Sequence, residues 1–215
     1  MIFQNRAHAG EVLARELLRL KLNLKKTIVA AIPRGGVVVG DIIAKTLKIP
    51  MRALVVKKIG APYNSELAIG ATASRGMAVY DWGLISELSV PKDYLARETA
   101  KKRKEARVRE QFLGGGVWGE FKGKNVVVVD DGLATGQTAS AAAKIIRAFG
   151  PAKLILAVAC ASPGALELIG PSYDQVICPE ISGDFMAVGQ FYRDFRPIED
   201  TEVKAIIEKQ LTINH

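Results

Sequence analysis

The segment from residue 126 to residue 138, VVVVDDGLATGQT, constrains this chain more than any other stretch of its sequence. Its four valines form a continuous apolar run of the kind found in central strands that are buried on both faces. The run ends in two carboxylates, Asp130 and Asp131, and a turn of small residues leads into an alanine-rich helical pattern. The segment therefore predicts a buried strand, a loop and a helix N-terminus in direct succession.

The loop that follows the two carboxylates has the features of a phosphate-binding site. The free N–H groups of a first helical turn point away from the helix and bind anions. Thr135 and Thr138 add hydroxyl donors, while Gly132 and Gly136 let the backbone approach a phosphate closely. The acidic pair before the loop suits a vicinal diol, because carboxylate oxygens accept hydrogen bonds. These residue types predict a binding site for a sugar phosphate. The alternative, an ordinary buried strand followed by a capped helix, gives the two adjacent acids no role.

This segment resembles the 5-phosphoribosyl-1-pyrophosphate (PRPP) motif of type I phosphoribosyltransferases, in which four apolar residues, two acids and a Thr-Gly-x-Thr loop follow one another. The resemblance implies that the two acids hold the ribose hydroxyls of PRPP, either directly or through water on Mg²⁺. It also implies that the loop binds the 5′-phosphate. The residues of the motif expected to bind PRPP are Asp130, Asp131, Gly132, Leu133, Ala134, Thr135, Gly136, Gln137 and Thr138.

A second loop, Pro33-Arg34-Gly35-Gly36, stands between an apolar strand pattern, TIVAAI, and another helical pattern. Ligands of open α/β sheets bind at the carboxyl ends of the strands, where this loop is expected to lie. Its glycines expose backbone N–H groups, and the Arg34 guanidinium suits a phosphate. The loop resembles the pyrophosphate-binding loop of the same family, which often carries a cis peptide at the position of Pro33 and Arg34.

Two adjacent lysines, Lys57 and Lys58, end the next predicted strand, residues 52–58. Neighbouring strand residues point to opposite faces, so one lysine is expected to face pyrophosphate and the other solvent or a partner subunit. In the family a basic residue here contacts pyrophosphate, often from a neighbouring subunit, and we therefore expect a homodimer.

Residues 59–76 resemble the mobile loop that closes over PRPP. The residues expected to carry the reaction are Asp130, Asp131, Arg34 and Lys57.

Strand-like runs alternate with helical patterns along the chain, which predicts an α/β fold with a parallel sheet flanked by helices. The resemblance described above implies the type I phosphoribosyltransferase fold. A length of 215 residues favours a single domain over residues 1–215. Its core is expected over residues 25–180, and a small C-terminal hood over residues 181–215, together with the N-terminal helix.

The C-terminal hood is the candidate region for contact with a base, because aromatic residues are frequent between residues 179 and 195. Phe185, Val188 and Phe191 are the candidates, although packing of a C-terminal cap explains the aromatic residues equally well. The 6-oxopurine enzymes of the family carry an Asp at the position of Ala134, so the sequence argues against hypoxanthine or guanine as the acceptor. The whole-chain pattern is most similar to a bacterial and archaeal group within the family, and the acceptor stays open.

The net charge of +8 raises the question of nucleic-acid binding. Half of the excess lies in residues 92–110, which hold eight basic and four acidic side chains. A solvated helix with ion pairs at helical spacing explains this charge, and so does attraction of polyanionic PRPP. Tyr94 is the one aromatic residue among these lysines and arginines, so they lack a series of stacking platforms and nucleic-acid binding is not expected. The alternative is a PRPP-sensing regulator that binds nucleic acid through this basic helix.

The remaining composition predicts a cytoplasmic protein. No apolar run reaches the roughly 18 residues that a membrane span needs, and the N-terminal pattern lacks a signal-peptide core. Cys160 and Cys178 are interpreted as buried thiols, and two histidines are too few for a histidine-based metal site.

The expected reaction is transfer of the phosphoribosyl group from PRPP to a nitrogenous base with release of pyrophosphate. Mg²⁺ is the expected cofactor, and a flavin- or nucleotide-binding module is a weaker alternative.

Overall fold

The computed structural model describes residues 2–114 and 118–213. Its strands are β1 (Thr27–Ala31), β2 (Met51–Ala53), β3 (Val56–Ala61), β4 (Asn64–Ala73), β5 (Val79–Tyr80), β6 (Asn125–Asp130), β7 (Lys153–Val158), β8 (Cys160–Ala161), β9 (Gln175–Ile177) and β10 (Glu180–Ile181). Its α-helices are α1 (Arg6–Arg19), α2 (Gly35–Leu47), α3 (Trp82–Glu87), α4 (Lys92–Phe112), α5 (Gln137–Arg147), α6 (Pro163–Ile169) and α7 (Asp200–Ile213).

A five-stranded parallel sheet in the order β2-β1-β6-β7-β9 forms the centre of the fold. Strands β1 and β6 are neighbours, and Ala31 lies opposite Val129 at their carboxyl ends. Every residue of β1 is buried, as are the four valines of β6, because helices cover both faces of the sheet. The predicted parallel sheet flanked by helices is thus confirmed, and the two motif-bearing loops leave the sheet side by side.

The prediction of one strand over residues 52–58 is wrong. Strand β2 ends at Ala53, and the chain leaves the central sheet before β3 begins at Val56. Strands β3, β4 and β5 form a separate antiparallel sheet, which carries both lysines. Residues 59–76, expected as a mobile loop, form most of this paired hairpin, and α4 packs against it. The apolar run from Ala53 to Val56 continues through the point where the chain leaves the central sheet, so the sequence pattern did not separate the two sheets.

The N-terminal segment and the C-terminal hood pack together over the carboxyl end of the sheet. The N–H of Phe3 donates to Phe191 O at 2.8 Å, and the N–H of Arg193 donates to Phe3 O at 2.9 Å. Phe3 is fully buried and stacks against Tyr192 with ring centroids 5.5 Å apart. These contacts place α1 beside the loops that follow β1 and β6. Among the described helices, none combines the length and apolar character needed to cross a bilayer.

A close helix contact supports α1 in this position. A Cβ built on Gly10 would lie 2.7 Å from Ile42 Cβ and 2.8 Å from Val39 O of α2. We expect Gly10→Ala to lower the free energy of unfolding by about 1–3 kcal/mol, because the extra methyl group forces the helices apart. Gly164→Ala is the matched control, since that helical glycine has open space around it and alanine favours helix. Thermal melts that show equal effects for both substitutions would contradict this packing.

Candidate functional site

The loop at residues 33–36, the PRGG loop, lies directly on the acidic pair, Asp130 and Asp131. A Cβ on Gly35 would overlap Asp131 Oδ2, and a Cβ on Gly36 would lie 2.6 Å from Val129 O and 3.2 Å from Asp130 Oδ1. Only glycine permits this approach at either position. The sequence motifs that were separated by almost a hundred residues therefore form one site at the carboxyl edge of the central sheet.

The PRGG loop opens helix α2, and the peptide bond between Pro33 and Arg34 is cis, as the family resemblance predicted. The Arg34 side chain extends towards the start of α7, where its Nη1 lies 3.9 Å from Asp200 Oδ1. Asp200 also forms a two-point ion pair with Arg109 of α4. Arg34 therefore belongs to a charged network that joins the loop to two helices.

The loop at residues 132–138, the phosphate loop, is fixed by main-chain contacts on its outer side. The N–H of Leu133 donates to Cys160 O at 2.8 Å, and Ser162 Oγ donates to Ala134 O at 3.1 Å. Gly136 has a φ of 70°, a left-handed conformation that favours glycine. The N–H of Ser140 makes the first hydrogen bond of α5, to Gly136 O, so the N–H groups before it have no partner inside the helix. This end of α5 can therefore accept an anion.

The acidic pair lies in an environment that opposes ionisation of Asp130. Burial raises the pKa of the Asp130 carboxyl well above its usual range, and the neighbouring Asp131 carboxylate raises it further. The N–H of Asp131 donates to Asp130 Oδ1 at 2.9 Å, which holds the side chain in place and opposes part of that rise in pKa. Asp130 is thus a desolvated carboxyl at the strand end, where a hydroxyl donor or a cation would stabilise its charged form.

Arg6, at the start of α1, neutralises the second acid. Its Nε donates to Asp131 Oδ2 at 2.8 Å, and Arg6 itself is 8% exposed. The sequence analysis missed this residue. Arg6 and Asp131 stand 125 positions apart, and a single arginine in an amphipathic charged helix carries no signal that distinguishes a buried ion pair from a solvated side chain.

The C-terminal hood contacts the acidic pair at the main chain of Asp131 and at Gly132, the residue that follows it. Tyr192 Oη donates to Asp131 O at 2.7 Å, and a Cβ on Gly132 would lie 2.7 Å from both Val188 Cγ1 and Cys160 Sγ. Burial raises the pKa of the Cys160 thiol to about 12, and Cys160 Sγ lies 3.8 Å from Asp131 O. The thiol is therefore a protonated packing group rather than a nucleophile.

The candidate base-contact residues of the hood have different surroundings. Phe191 is 5% exposed and packs in a cluster with Phe3 and Tyr192. Phe185 is half-buried, with its ring centroid 5.0 Å from that of Phe191, and Val188 is half-buried over Gly132. Val188 is thus the one of the three whose contact with the motif is direct.

Lys57 lies on the face of β3 that is turned towards α4. Its Nζ is 3.9 Å from Glu105 Oε2, and it borders a cavity of about 530 Å³ between α4 and the start of α7. Arg109 and Asp200, the partners in the Arg34 network, also line this cavity. Lys57 and Arg34 therefore approach the same basic region, which is the side of the site where a pyrophosphate group is expected.

Lys58 lies on the other face of the hairpin, as the alternation of strand side chains predicted. It borders a second cavity, of about 210 Å³, between the antiparallel sheet and α5. Gln137 of the phosphate loop and Lys144 of α5 line the same cavity. The two adjacent lysines therefore flank different parts of the site.

Comparison with known proteins assigns the chain to a family. Residues 1–196 match the family of the phosphoribosyl transferase domain. The chain therefore belongs to the phosphoribosyltransferase family, in agreement with the motifs and with the parallel sheet.

Individual relatives agree with this assignment. The protein of Mycobacterium tuberculosis (strain CDC 1551 / Oshkosh) named "Putative phosphoribosyl transferase MT0597" is 35% identical over 211 residues, which are 97% of this chain and 47% of the relative. The chain thus spans about half the length of the curated relatives it matches. The crystal structure of TT1426 from Thermus thermophilus is 37% identical, with a TM-score of 0.87 over 98% of this chain and 99% of that one. The AQ2163 protein from Aquifex aeolicus shares the fold, with 16% identity and a TM-score of 0.51 over 82% and 74%.

The two acids are expected to respond differently to neutralisation. Asp130→Asn should raise the melting temperature at neutral pH, because it removes a buried charge and keeps an acceptor for the Asp131 N–H. This gain should shrink as the pH falls towards about 4, because the raised pKa of Asp130 leaves the wild-type carboxyl protonated there. Asp131→Asn should cost about 1–3 kcal/mol, because Arg6 would remain buried without a charged partner. Melts in which Asp130→Asn is the more damaging substitution would contradict this assignment.

Proposed function

We propose that this protein binds Mg²⁺–PRPP and transfers the phosphoribosyl group to a nitrogenous base with release of pyrophosphate. The observation that carries the proposal is the direct contact of the PRGG loop with the acidic pair. Both loops proposed to bind anionic groups through their backbone N–H groups therefore adjoin the two carboxylates. PRPP matches this arrangement, because its ribose hydroxyls lie between a 5′-phosphate and a pyrophosphate.

Each part of the site has a role in this proposal. The N–H groups and hydroxyls between Ala134 and Thr138 bind the 5′-phosphate, and Asp130 and Asp131 accept hydrogen bonds from the ribose hydroxyls. The backbone of Gly35 and Gly36 binds the pyrophosphate. The full set of residues proposed to bind PRPP also contains Pro33, Arg34, Lys57, Lys58, Gly132 and Leu133.

The charged groups around the PRGG loop would stabilise the leaving group. Negative charge develops on pyrophosphate as its bond to the ribose breaks, and preorganised cations favour that charge. Arg34 and Lys57 are proposed for this role, since both approach the cavity between α4 and α7. No covalent step by the protein is needed, because binding both substrates in line supplies proximity and orientation.

The acidic pair offers the oxygen donors that Mg²⁺ prefers, so its residues fit this cofactor. Bound Mg²⁺ would neutralise phosphate charge and polarise the leaving group. The base would approach the ribose from the C-terminal hood, with Phe185, Val188 and Phe191 as the proposed wall. We propose a homodimer as the active assembly.

A nucleic-acid-binding regulator is less well supported by α4. Several cations of this helix pair with carboxylates of the same helix, as in the contacts Arg97–Asp93 and Lys102–Glu98. These pairs favour a solvated helix, because their charges are already offset locally. In a separate filter-binding assay, salt-sensitive capture of a labelled RNA or DNA by a protein that shows no turnover would favour the regulator.

Titration calorimetry with Mg²⁺–PRPP provides the direct test. Binding should require Mg²⁺, and Thr138→Val should weaken it tenfold or more, about 1.4 kcal/mol, because the 5′-phosphate loses a hydroxyl donor. Thr212→Val is the matched control, since that exposed hydroxyl lies in α7 and donates to Lys209 O. Pyrophosphate release with a panel of nitrogenous bases then identifies the acceptor. Equal PRPP affinity in both variants, or heat of binding that does not depend on Mg²⁺, would contradict the proposed site.

A further inference from the structure

Arg6 is held from three directions at the edge of the proposed site. Its Nε donates to Asp131 Oδ2 at 2.8 Å, and its Nη1 donates to Arg196 O at 2.9 Å. The guanidinium lies over the ring of Phe195, with Cζ 3.8 Å from the ring centroid. A planar guanidinium alone combines this stacking with two directed hydrogen bonds, so lysine cannot reproduce all three contacts.

The PRGG loop closes over this ion pair. A Cβ on Gly35 would lie 2.9 Å from Arg6 Nε and would also overlap Asp131 Oδ2. The Arg6–Asp131 pair is therefore covered by the loop proposed to bind pyrophosphate, and the Asp131 side chain is 14% exposed. Arg6 thus reaches the centre of the site from α1, an element that contains no part of either sequence motif.

The Arg6–Asp131 ion pair sets the net charge that a cation meets at the acidic pair when no ligand is bound. Two adjacent carboxylates with partly lost hydration attract divalent metal ions, since carboxylate oxygens are their preferred ligands. Arg6 offsets one of these charges and occupies one oxygen of Asp131. A free cation would have to compete with the guanidinium, whereas a ribose hydroxyl is a neutral donor and requires no displacement of Arg6.

We propose that Arg6 is a positioning residue that neutralises and orients Asp131, so that the free protein does not retain a divalent cation at the acidic pair. The metal would then bind together with PRPP, whose phosphates add oxygen ligands to those of the acidic pair. This role rests on the proposed function. It also gives the two acids different roles, since Arg6 orients the Asp131 carboxylate, whereas the N–H of Asp131 holds the Asp130 carboxyl.

Mn²⁺ binding without PRPP tests this role, because electron paramagnetic resonance counts the free ion directly. Wild-type protein should retain little Mn²⁺, and Arg6→Gln should bind one ion at least tenfold more tightly. Arg6→Lys should resemble wild type, because it keeps the charge. Arg15→Gln is the matched control, since it removes one charge from an exposed site on the same helix and should change nothing. The double variant Arg6→Gln with Asp131→Asn should lose the gained ion.

Several results would overturn the role of Arg6. Equal Mn²⁺ affinity of the wild-type protein and Arg6→Gln would be one such result. Another would be a gain in Mn²⁺ affinity that persists in the double variant. If Arg6→Gln does not fold, the wild-type titration still decides, because tight Mn²⁺ binding without PRPP contradicts the proposal. A merely structural Arg6 would lower the melting temperature on substitution without any gain in ion binding.

Failure of the proposed function is separable from failure of this role. If the wild-type protein does not bind Mg²⁺–PRPP, but Arg6→Gln still creates a Mn²⁺ site, PRPP binding is refuted. The proposed effect of Arg6 on cation binding then stands. Wild-type protein that binds Mg²⁺–PRPP, with no gain in Arg6→Gln, would refute the positioning role alone.

Discussion

The close approach of two loop backbones at the carboxyl ends of β1 and β6 is the constraint on which the rest of this site depends. Gly35 and Gly36 have no side chains, and this lets the PRGG loop rest on the carboxylates of Asp130 and Asp131. The parallel register of the two strands, with Ala31 opposite Val129, brings the loops to the same level. A larger side chain at either glycine would separate the loops and move both helix N-termini.

Charges of both signs are arranged around this contact in a way that fits a ligand with anionic ends and a hydroxylated middle. The acidic pair lies at the centre, with Arg6 offsetting one of its members. On the PRGG side, Arg34 and Arg109 share Asp200, and Lys57 borders the same cavity. Asp200 therefore holds two arginines near the proposed pyrophosphate position without removing the positive field there. This network joins the PRGG loop to α4 and α7.

The sequence predicted the central sheet and both loops because each depends on local patterns. The four valines before Asp130 indicate a buried strand, and the glycines of the PRGG loop mark a close approach. Other features depend on contacts between distant segments. The strand pattern around Lys57 does not reveal that the chain leaves the central sheet after Ala53, since the apolar run from Ala53 to Val56 continues through that point. Arg6 was not predicted because its partner lies 125 residues away and one arginine carries no pattern.

A crystal structure of the protein with Mg²⁺ and PRPP tests the central claim most directly, namely that the two loops form a single PRPP site. The account predicts the 5′-phosphate on the N–H groups between Ala134 and Thr138, and the pyrophosphate on the backbone of Gly35 and Gly36. The ribose hydroxyls should meet the carboxylates of Asp130 and Asp131, with Arg6 still paired to Asp131. PRPP bound elsewhere, or bound with the acidic pair turned away from the ribose, would contradict it.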